Sequence, residues 1–244
     1  MTRLLMFCWL TTLTACAGPQ ATETRAAGAS DDDRVLTVGF LLLEGVYNSE
    51  LAAPFDVFHH TVFHTQPGMR VLTIGRTRRP IRSFEGLTIT PDTDLAHAPH
   101  LDILVIPSAE HNMDSDLEDS RLLKWLKQRG QQAGYLLSVC DGAFLLAEAG
   151  LLDGHQCTTF PGDLEAFRQR YPHLEVIQDV SFVADGNTIT GAGGALSYDP
   201  ALYLAEVLYG NEVARGIGKG LVLDWNVQQV RHHITPPDSR KRLP

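Results

Sequence analysis

The sequence is poor in cysteine and in basic residues, and it contains no internal repeat. Four cysteines occur in 244 residues, and a chain of this length can bury a core without disulfide bonds. Lysine and arginine number 20 against 29 acidic residues, which gives a formal net charge of −9. Because an acidic chain repels phosphate backbones, we expect no nucleic-acid partner. The apolar fraction of 44% and the charged fraction of 20% are those of an ordinary globular domain.

The first residues have the layout of a secretory signal. Arg3 supplies a positive start, Leu4 to Leu13 form an apolar stretch, and small residues precede Cys16. This stretch is shorter than the roughly 20 residues that a membrane-spanning helix needs. The pattern therefore predicts an exported protein.

Leu13-Thr14-Ala15-Cys16 resembles the bacterial lipobox, in which cleavage precedes a cysteine that is then acylated. The resemblance implies a lipoprotein signal peptide over residues 1–15 and lipid attachment at Cys16. The protein would then be anchored in the cell envelope and face the periplasm. Ala17 and Gly18 follow the cysteine in place of an aspartate, which favours the outer membrane. The alternative is an ordinary signal peptide that happens to contain a cysteine.

Three further segments follow the signal. Residues 16–33 are rich in small and polar residues without apolar periodicity, and they predict a flexible tether. Residues 34–233 form a single predicted domain, and residues 234–244 a C-terminal tail. The basic cluster Arg240 to Arg242 in that tail is predicted to be a solvated chain end.

Buried strands and amphipathic helices alternate along the domain. Strands are predicted at 35–43, 70–75, 101–106, 135–139 and 221–225; helices at 50–63, 119–129, 142–149, 162–170 and 199–209; hairpins at 81–90 and 180–190. Near-continuous apolar strands indicate a sheet covered on both faces. The predicted fold class is α/β, a doubly wound and mostly parallel sheet with helices on both faces.

The most specific local pattern is Ser138-Val139-Cys140-Asp141-Gly142-Ala143, where a strand stops at a cysteine and a helix begins at once. This is the layout of a nucleophile elbow, in which a tight turn exposes the side chain at the sheet edge. The positive end of the helix would stabilise a thiolate and lower the pKa of Cys140. Nearby backbone N–H groups could hold an oxyanion. The alternative is an inert cysteine buried at a helix start.

Several segments together resemble the ThiJ/PfpI superfamily, within the class I glutamine amidotransferase-like, flavodoxin-like fold. They also resemble its subgroup of isonitrile hydratases and sensor domains of AraC-type regulators. The matching segments occur in family order at 50–58 (ELAAPFDVF), 102–107 (DILVIP), 137–154 (LSVCDGAFLLAEAGLLDG), 157–160 (CTTF), 185–190 (DGNTIT) and 204–222. The resemblance spans about residues 35 to 225.

This resemblance implies roles for two residues. Cys140 occupies the nucleophile position, and Glu50 occupies that of the acidic residue that contacts it. A protonated carboxyl donates a hydrogen bond to a thiolate, whereas an ionised one can act as a general base. The alternative for Glu50 is a carboxylate that interacts only with the helix dipole. Relatives are usually dimers, which makes a homodimer possible here.

Three positions depart from the family pattern. Phe160 stands where many relatives have histidine. Ser108-Ala109 replaces Gly-Gly after the proline of the oxyanion loop, and it leaves the backbone N–H groups of Ser108, Ala109 and Asp141 as candidates for the oxyanion site. Asp141 follows the nucleophile where isonitrile hydratases have threonine, and it could oppose thiol ionisation or cap the helix.

His111 is a candidate replacement base, because its loop follows a strand that ends near Cys140; an exposed loop histidine is the alternative. Histidine pairs at 59–60 and 232–233 lack an evident third ligand, so we expect no metal site and no cofactor. Cys157 is predicted to pack as a small apolar residue at a strand start. The sequence leaves a Cys140–Cys157 disulfide open.

Two functions remain open at this stage. The first is a cysteine-dependent hydrolase or lyase that acts on a small electrophile of the isonitrile, 2-oxoaldehyde or amide type. The second is a non-catalytic ligand or redox sensor, related to the sensor domains of AraC-type regulators. The chain after the domain is too short for a helix-turn-helix region, so we expect no direct transcription factor.

Overall fold

The computed structural model describes residues 34–235. The predicted signal peptide, Cys16, the tether over residues 16–33 and residues 236–244 lie outside this range. Within it, no helix is both long and apolar enough to cross a membrane.

The described residues form one eight-stranded sheet with two small accessory sheets and six helices. The strands are β1 Thr37–Leu42, β2 Arg70–Gly75, β3 Ile81–Arg82, β4 Thr88–Ile89, β5 Thr93–Asp94, β6 Ile103–Ile106, β7 Tyr135–Val139, β8 Gln156–Cys157, β9 Glu175–Val176, β10 Phe182–Asp185, β11 Thr188–Gly191 and β12 His232–Thr235. The helices are α1 Asn48–His60, α2 Ser120–Gln132, α3 Gly142–Glu148, α4 Leu164–Arg170, α5 Tyr198–Tyr209 and α6 Asn211–Gly220.

The main sheet has the order β12-β10-β11-β7-β6-β1-β2-β5. Its pairs are parallel except β10 with β11, so β10 and β12 run against the other six strands. The mostly parallel α/β fold predicted from the sequence is therefore confirmed. Strands β1, β6 and β7 lie side by side with nearly all residues buried, as their continuous apolar sequences require.

Local sequence signals explain several boundaries. The side chain of Asp119 accepts hydrogen bonds from the N–H groups of Arg121 and Leu122, and it thereby caps the start of α2. The hairpin predicted around Asp185-Gly186-Asn187 forms as β10 and β11, with Gly186 at φ 64° in the turn.

One predicted strand is wrong. Residues 221–225 are not extended: the N–H of Leu221 continues the bonding of α6, and Val222 lies at φ 60° with 93% of its surface exposed. The segment is nearly continuously apolar, which predicts a buried strand, but a positive φ breaks an extended backbone. The last strand is instead β12, which pairs with β10 and runs to Thr235, two residues past the predicted domain end.

The topology places one group of loops together. In the parallel part of the sheet, the carboxyl ends of β1, β6 and β7 open on the same edge. The loop after β1 pairs with the loop after β6 through a bridge between Val46 and Ala109. Ligands of such sheets bind at this edge, and the chain after β7 begins there with Cys140.

Candidate functional site

Cys140 lies in a strained turn between β7 and α3. Its φ of 56° is one of three positive values among the non-glycine residues of the described range. Its backbone N–H donates to the Gly191 carbonyl at 2.9 Å, which ties the turn to β11. A methyl group at Gly142 would lie 2.2 Å from the Ile106 carbonyl oxygen, so only glycine fits where the turn passes β6. A side chain held at a sharp, strained turn has the geometry of a nucleophile elbow.

Glu50 lies in the first turn of α1 and is 4% exposed. Its Oε1 atom accepts a hydrogen bond from the Gly194 N–H at 2.6 Å, and its Oε2 atom accepts one from the Ser197 hydroxyl at 2.9 Å. Both carboxyl oxygens are therefore held in place from the segment that precedes α5. The carboxyl also faces Cys140, whose thiol hydrogen bond lowers the pKa of Glu50.

The backbone of Gly193 packs closely against both Cys140 and the Glu50 carboxyl. It lies at φ 89°, and a methyl group there would be 2.4 Å from Cys140 Cβ and 3.0 Å from Glu50 Oε1. The glycine-rich segment 191–194 thus provides close backbone packing at the site. The roles of Gly194 and Ser197 were not predicted; the repeated glycines just before α5 were the available signal.

Burial dominates the electrostatics of the pair. It raises the pKa of Glu50 above the usual carboxyl value, although the hydrogen bonds from Gly194, Ser197 and Cys140 lower it. Burial also raises the pKa of the Cys140 thiol, and the Glu50 and Asp141 carboxylates raise it further. The expectation of a lowered thiol pKa is therefore wrong in direction, because the helix-start argument neglected burial and two acidic neighbours.

Asp141 supplies a second carboxyl beside the thiol. Burial, with the nearby Asp163 carboxylate, raises the pKa of Asp141 to about 7. The Thr159 hydroxyl lies 3.0 Å from the Cys140 carbonyl oxygen and 3.3 Å from Asp141 Oδ1. Asp141 makes no side-chain cap to α3, so the capping alternative is wrong.

Hydrogen bonds hold the loop after β6, which was predicted to supply the oxyanion site, and they use one of its predicted N–H donors. The Ala109 N–H donates to Asn112 Oδ1 at 2.9 Å, and Asn112 Nδ2 donates to Asp116 at 2.9 Å. Arg76 in turn donates to Asp116 at 2.6 Å. The backbone N–H predicted at Ala109 is therefore already used within the loop.

Ser108 and Asp141 each present a donor to the sulfur. Ser108 is fully buried, and its hydroxyl lies close enough to Cys140 to lower the pKa of the thiol. Among the described residues, however, no atom lies in ordinary hydrogen-bond geometry to the Ser108 Oγ atom. The Asp141 backbone N–H also lowers the thiol pKa as a donor.

The remaining predicted residues are two partly exposed side chains, His111 and Phe160, and the buried thiol of Cys157. The His111 side chain is 45% exposed, with Nδ1 at 3.3 Å from Asp114 Oδ1. Phe160 is 42% exposed. Cys140 and Cys157 are both free thiols, and Cys157 is fully buried at the end of β8.

Two aromatic side chains lie next to the site, and no sequence pattern predicted them. The Tyr47 N–H donates to the Ser108 carbonyl at 3.1 Å, and the Tyr47 ring centroid lies 4.7 Å from that of the exposed Phe84. Burial and the nearby Cys140 and Asp141 raise the pKa of Tyr47. Within residues 34–235, no group of three potential ligands is placed to hold a metal ion.

The arrangement combines a strained, buried thiol with a carboxyl whose pKa burial raises. Such a pair can transfer a proton between sulfur and carboxyl while the sulfur adds to an electrophilic carbon.

Comparison with known proteins gives one family. The DJ-1/PfpI family matches residues 36–206. The chain is similar to isonitrile hydratase of Pseudomonas putida, with 33% identity over 181 residues that cover 74% of this chain and 75% of the hydratase. It is also similar to the HTH-type transcriptional regulator GbdR of Pseudomonas aeruginosa, with 26% identity over 82% of this chain. The chain spans 54% of the length of that regulator.

Solved structures share the fold. The crystal structure of Drosophila melanogaster DJ-1beta has a TM-score of 0.69 and 23% identity, covering 79% of this chain and all of that one. The structure of an AraC family transcriptional regulator from Pseudomonas putida has a TM-score of 0.68 and 23% identity, covering 76% of this chain and 99% of that one.

Proposed function

The chain belongs to the DJ-1/PfpI family, and on this premise we propose that it is a cysteine-dependent hydrolase or lyase. Its substrate would be a small electrophile of the isonitrile, 2-oxoaldehyde or amide type. The similarity to isonitrile hydratase, at 33% identity, supports a reaction of this kind.

One observation carries the proposal: the juxtaposition of Cys140 and Glu50. The thiol is held at φ 56° in the elbow, and the carboxyl is fixed by hydrogen bonds to both of its oxygens. Backbone strain of this kind costs on the order of 1–3 kcal/mol and concentrates at functional sites. A buried acid fixed beside a thiol has no evident structural benefit that would offset its desolvation.

The proposed mechanism begins with the Cys140 sulfur. With an amide, Sγ bonds to the carbonyl carbon, the thiol proton passes through Glu50 to the nitrogen, and the C–N bond breaks to release the amine and leave a thioester. Water then attacks the thioester carbon, the S–C bond breaks, and the proton released by water restores the thiol. With an isonitrile, Sγ and the thiol proton both add to the terminal carbon, and water converts the resulting thioimidate to a formamide as the S–C bond breaks. With a 2-oxoaldehyde, the hemithioacetal C–H proton moves through Glu50 to the neighbouring carbon while the hydroxyl proton passes to the ketone oxygen, which gives a thioester that water cleaves in the same way.

The charges around the thiol favour uncharged or cationic substrates. Five carboxyl groups raise, through their charge, the pKa of at least one of the site residues Cys140, Asp141 and Tyr47. They are Glu50, Asp141, Asp163, Glu85 and Glu110. An anionic substrate would be repelled by whichever of these carboxyls are ionised. The Tyr47–Phe84 pair adds an apolar surface to the same region.

The test is a turnover assay with the full chain. Methylglyoxal, a small isonitrile and a small amide are offered as neutral substrates, with glyoxylate as the anionic counterpart of methylglyoxal. We expect turnover of a neutral compound in wild type and in Cys157→Ser, and none in Cys140→Ser. Equal turnover in Cys140→Ser would overturn the proposed chemistry.

A sensor is the second candidate, and a specific observation favours it. Burial and acidic neighbours raise the pKa of Cys140, which reduces the thiolate available at neutral pH. The chain is similar to the regulator GbdR over 82% of its length, so its relatives include regulators as well as enzymes. Ligand binding detected by calorimetry, without turnover of that ligand, would support the sensor over the enzyme.

A further inference from the structure

We propose that the Ser108 hydroxyl, and not the Ala109 backbone amide, is the donor that stabilises negative charge on the substrate during attack by Cys140. This inference rests on the proposed function and names an additional catalytic residue for it. Ser108 would contact the heteroatom of the reacting group directly.

The position of Ser108 brings it to the thiol. It is the second residue after β6, whose last residue, Ile106, pairs with Ser138 on β7. Two residues beyond Ser138 the chain reaches Cys140, and the turn there passes so close to Ile106 that Gly142 has no room for a side chain. Ser108 therefore borders the elbow, and its carbonyl is held by the Tyr47 N–H.

The hydroxyl of Ser108 is fully buried, and beyond its contact with the Cys140 sulfur it has no partner among the described residues. Within the described residues its Oγ atom makes no hydrogen bond of ordinary geometry. A buried polar group without a partner is destabilising, so its retention needs a reason other than stability. A ligand atom that accepts a hydrogen bond would supply the missing partner.

The backbone donor expected in this loop is not free. The Ala109 N–H is bonded to Asn112 Oδ1, and the chain of bonds through Asp116 to Arg76 holds Asn112 in place. Releasing that N–H would require the loop to rearrange. The Ser108 hydroxyl needs only a rotation about its C–O bond, since the hydroxyl hydrogen turns to suit its acceptor.

The chemical role follows from the electron balance of the attack. When Sγ bonds to the carbon of an aldehyde, an amide or an isothiocyanate, the displaced electron pair resides on the adjacent heteroatom. Ser108 donates a hydrogen bond to that atom and keeps its proton, so no further reactant is needed.

Two small neutral thiol reagents separate this role from a merely structural one. Methyl isothiocyanate reacts by addition, and negative charge develops on the nitrogen and sulfur attached to the attacked carbon. Iodoacetamide reacts by displacement, and the charge leaves with iodide. Rate constants at Cys140 are measured by mass spectrometry in the full chain carrying Cys157→Ser, with Cys140→Ser as the blank.

We expect Ser108→Ala to slow methyl isothiocyanate about tenfold more than iodoacetamide, the effect of one ordinary hydrogen bond. Ser108→Thr, which keeps a hydroxyl, should restore the wild-type ratio of the two rate constants. The urea midpoint of Ser108→Ala should equal or exceed that of wild type, because an unpaired buried hydroxyl is removed.

An unchanged rate ratio in Ser108→Ala would overturn the proposal, and so would a ratio that Ser108→Thr fails to restore. Ser108→Gly provides the same comparison if the alanine variant does not fold. These rates do not depend on turnover, so a failure here is distinct from a failure of the proposed enzyme activity.

Discussion

Gly193 packs its backbone directly against Cys140: a methyl group on Gly193 would lie 2.4 Å from Cys140 Cβ. The same methyl group would lie 3.0 Å from Glu50 Oε1. The relationship between thiol and carboxyl therefore depends on a glycine with no side chain at φ 89°.

Gly193→Ala should therefore damage both stability and the site. We expect a loss of about 3–4 kcal/mol in the free energy of unfolding, because backbone strain and a clash with Cys140 act together. Urea denaturation measures the loss. Gly154→Ala is the matched control, since Gly154 has φ 75° but no atom within 4 Å of the added methyl.

In that control only the backbone strain of about 1–2 kcal/mol is expected. Equal losses in the two variants would show that Gly193 is needed for its φ alone, and that the close approach to Cys140 is not rigid.

Asp141 should make stability decrease as pH rises. Its pKa of about 7 in the folded protein exceeds the ordinary value of 3.8, so the folded state holds the proton more tightly than the unfolded state does. The favourable contribution of the protonated form is thus present at low pH and is lost as pH rises through about 7.

Asp141→Asn removes this titration while it keeps a similar shape. From about pH 5 to about pH 8, we expect the variant to gain ~1–2 kcal/mol in unfolding free energy relative to wild type, after allowance for partial exposure. Urea denaturation at the two pH values is the measurement. A constant difference between the proteins would mean that Asp141 titrates normally.

Glu50 should control the ionisation of Cys140. Burial raises the pKa of Glu50 and so moves it towards the protonated form, and a protonated carboxyl donates a hydrogen bond to a thiolate, whereas the ionised carboxylate raises the pKa of the thiol. We expect the protonated form. Glu50→Leu should then raise the pKa of the thiol and slow alkylation near neutral pH about tenfold, whereas Glu50→Gln keeps a donor and should retain most of the rate. Because the two groups titrate together, the measured shift belongs to the pair.

The measurement is the pH dependence of iodoacetamide alkylation, with Cys157→Ser in every protein. Faster alkylation in both variants would indicate an ionised Glu50 that repels the thiolate. Unchanged profiles would remove Glu50 from the site chemistry.

Short-range patterns in the sequence predicted most of the fold. Strands β2 and β7 match their predicted bounds, because each is an apolar run next to polar or glycine residues. The elbow at Cys140 was also visible, since a strand, a cysteine and a helix start follow directly. The strand predicted at residues 221–225 is wrong because a short apolar run does not reveal the positive φ of Val222.

The site was less predictable because its contacts are distant in sequence. Ser197 bonds Glu50 across 147 positions, and a single sequence gives no signal for such a pair. The occupied N–H of Ala109 depends on a local turn through Asn112 that residue types alone do not specify. The direction of the thiol's pKa shift depended on burial, which outweighs the helix dipole here.

Cys16 is proposed as the membrane anchor, on the lipobox-like segment that precedes it. We expect wild-type protein in the membrane fraction, carrying a radiolabelled fatty acid, and Cys16→Ala without the label. Cys8→Ala is the matched control and should behave like wild type. Wild-type protein that is entirely soluble would contradict the anchor.

The most direct test of the reactive centre is competition between the two thiols of the domain. Burial raises the pKa of both thiols, so access decides between them: Cys140 is 7% exposed in a strained turn, whereas Cys157 is fully buried. Native full-length protein is treated with limiting iodoacetamide, and the peptides are mapped by mass spectrometry. The predicted result is alkylation of Cys140 well before Cys157. Equal labelling, or labelling of Cys157 first, would contradict the assignment of Cys140 as the reactive centre.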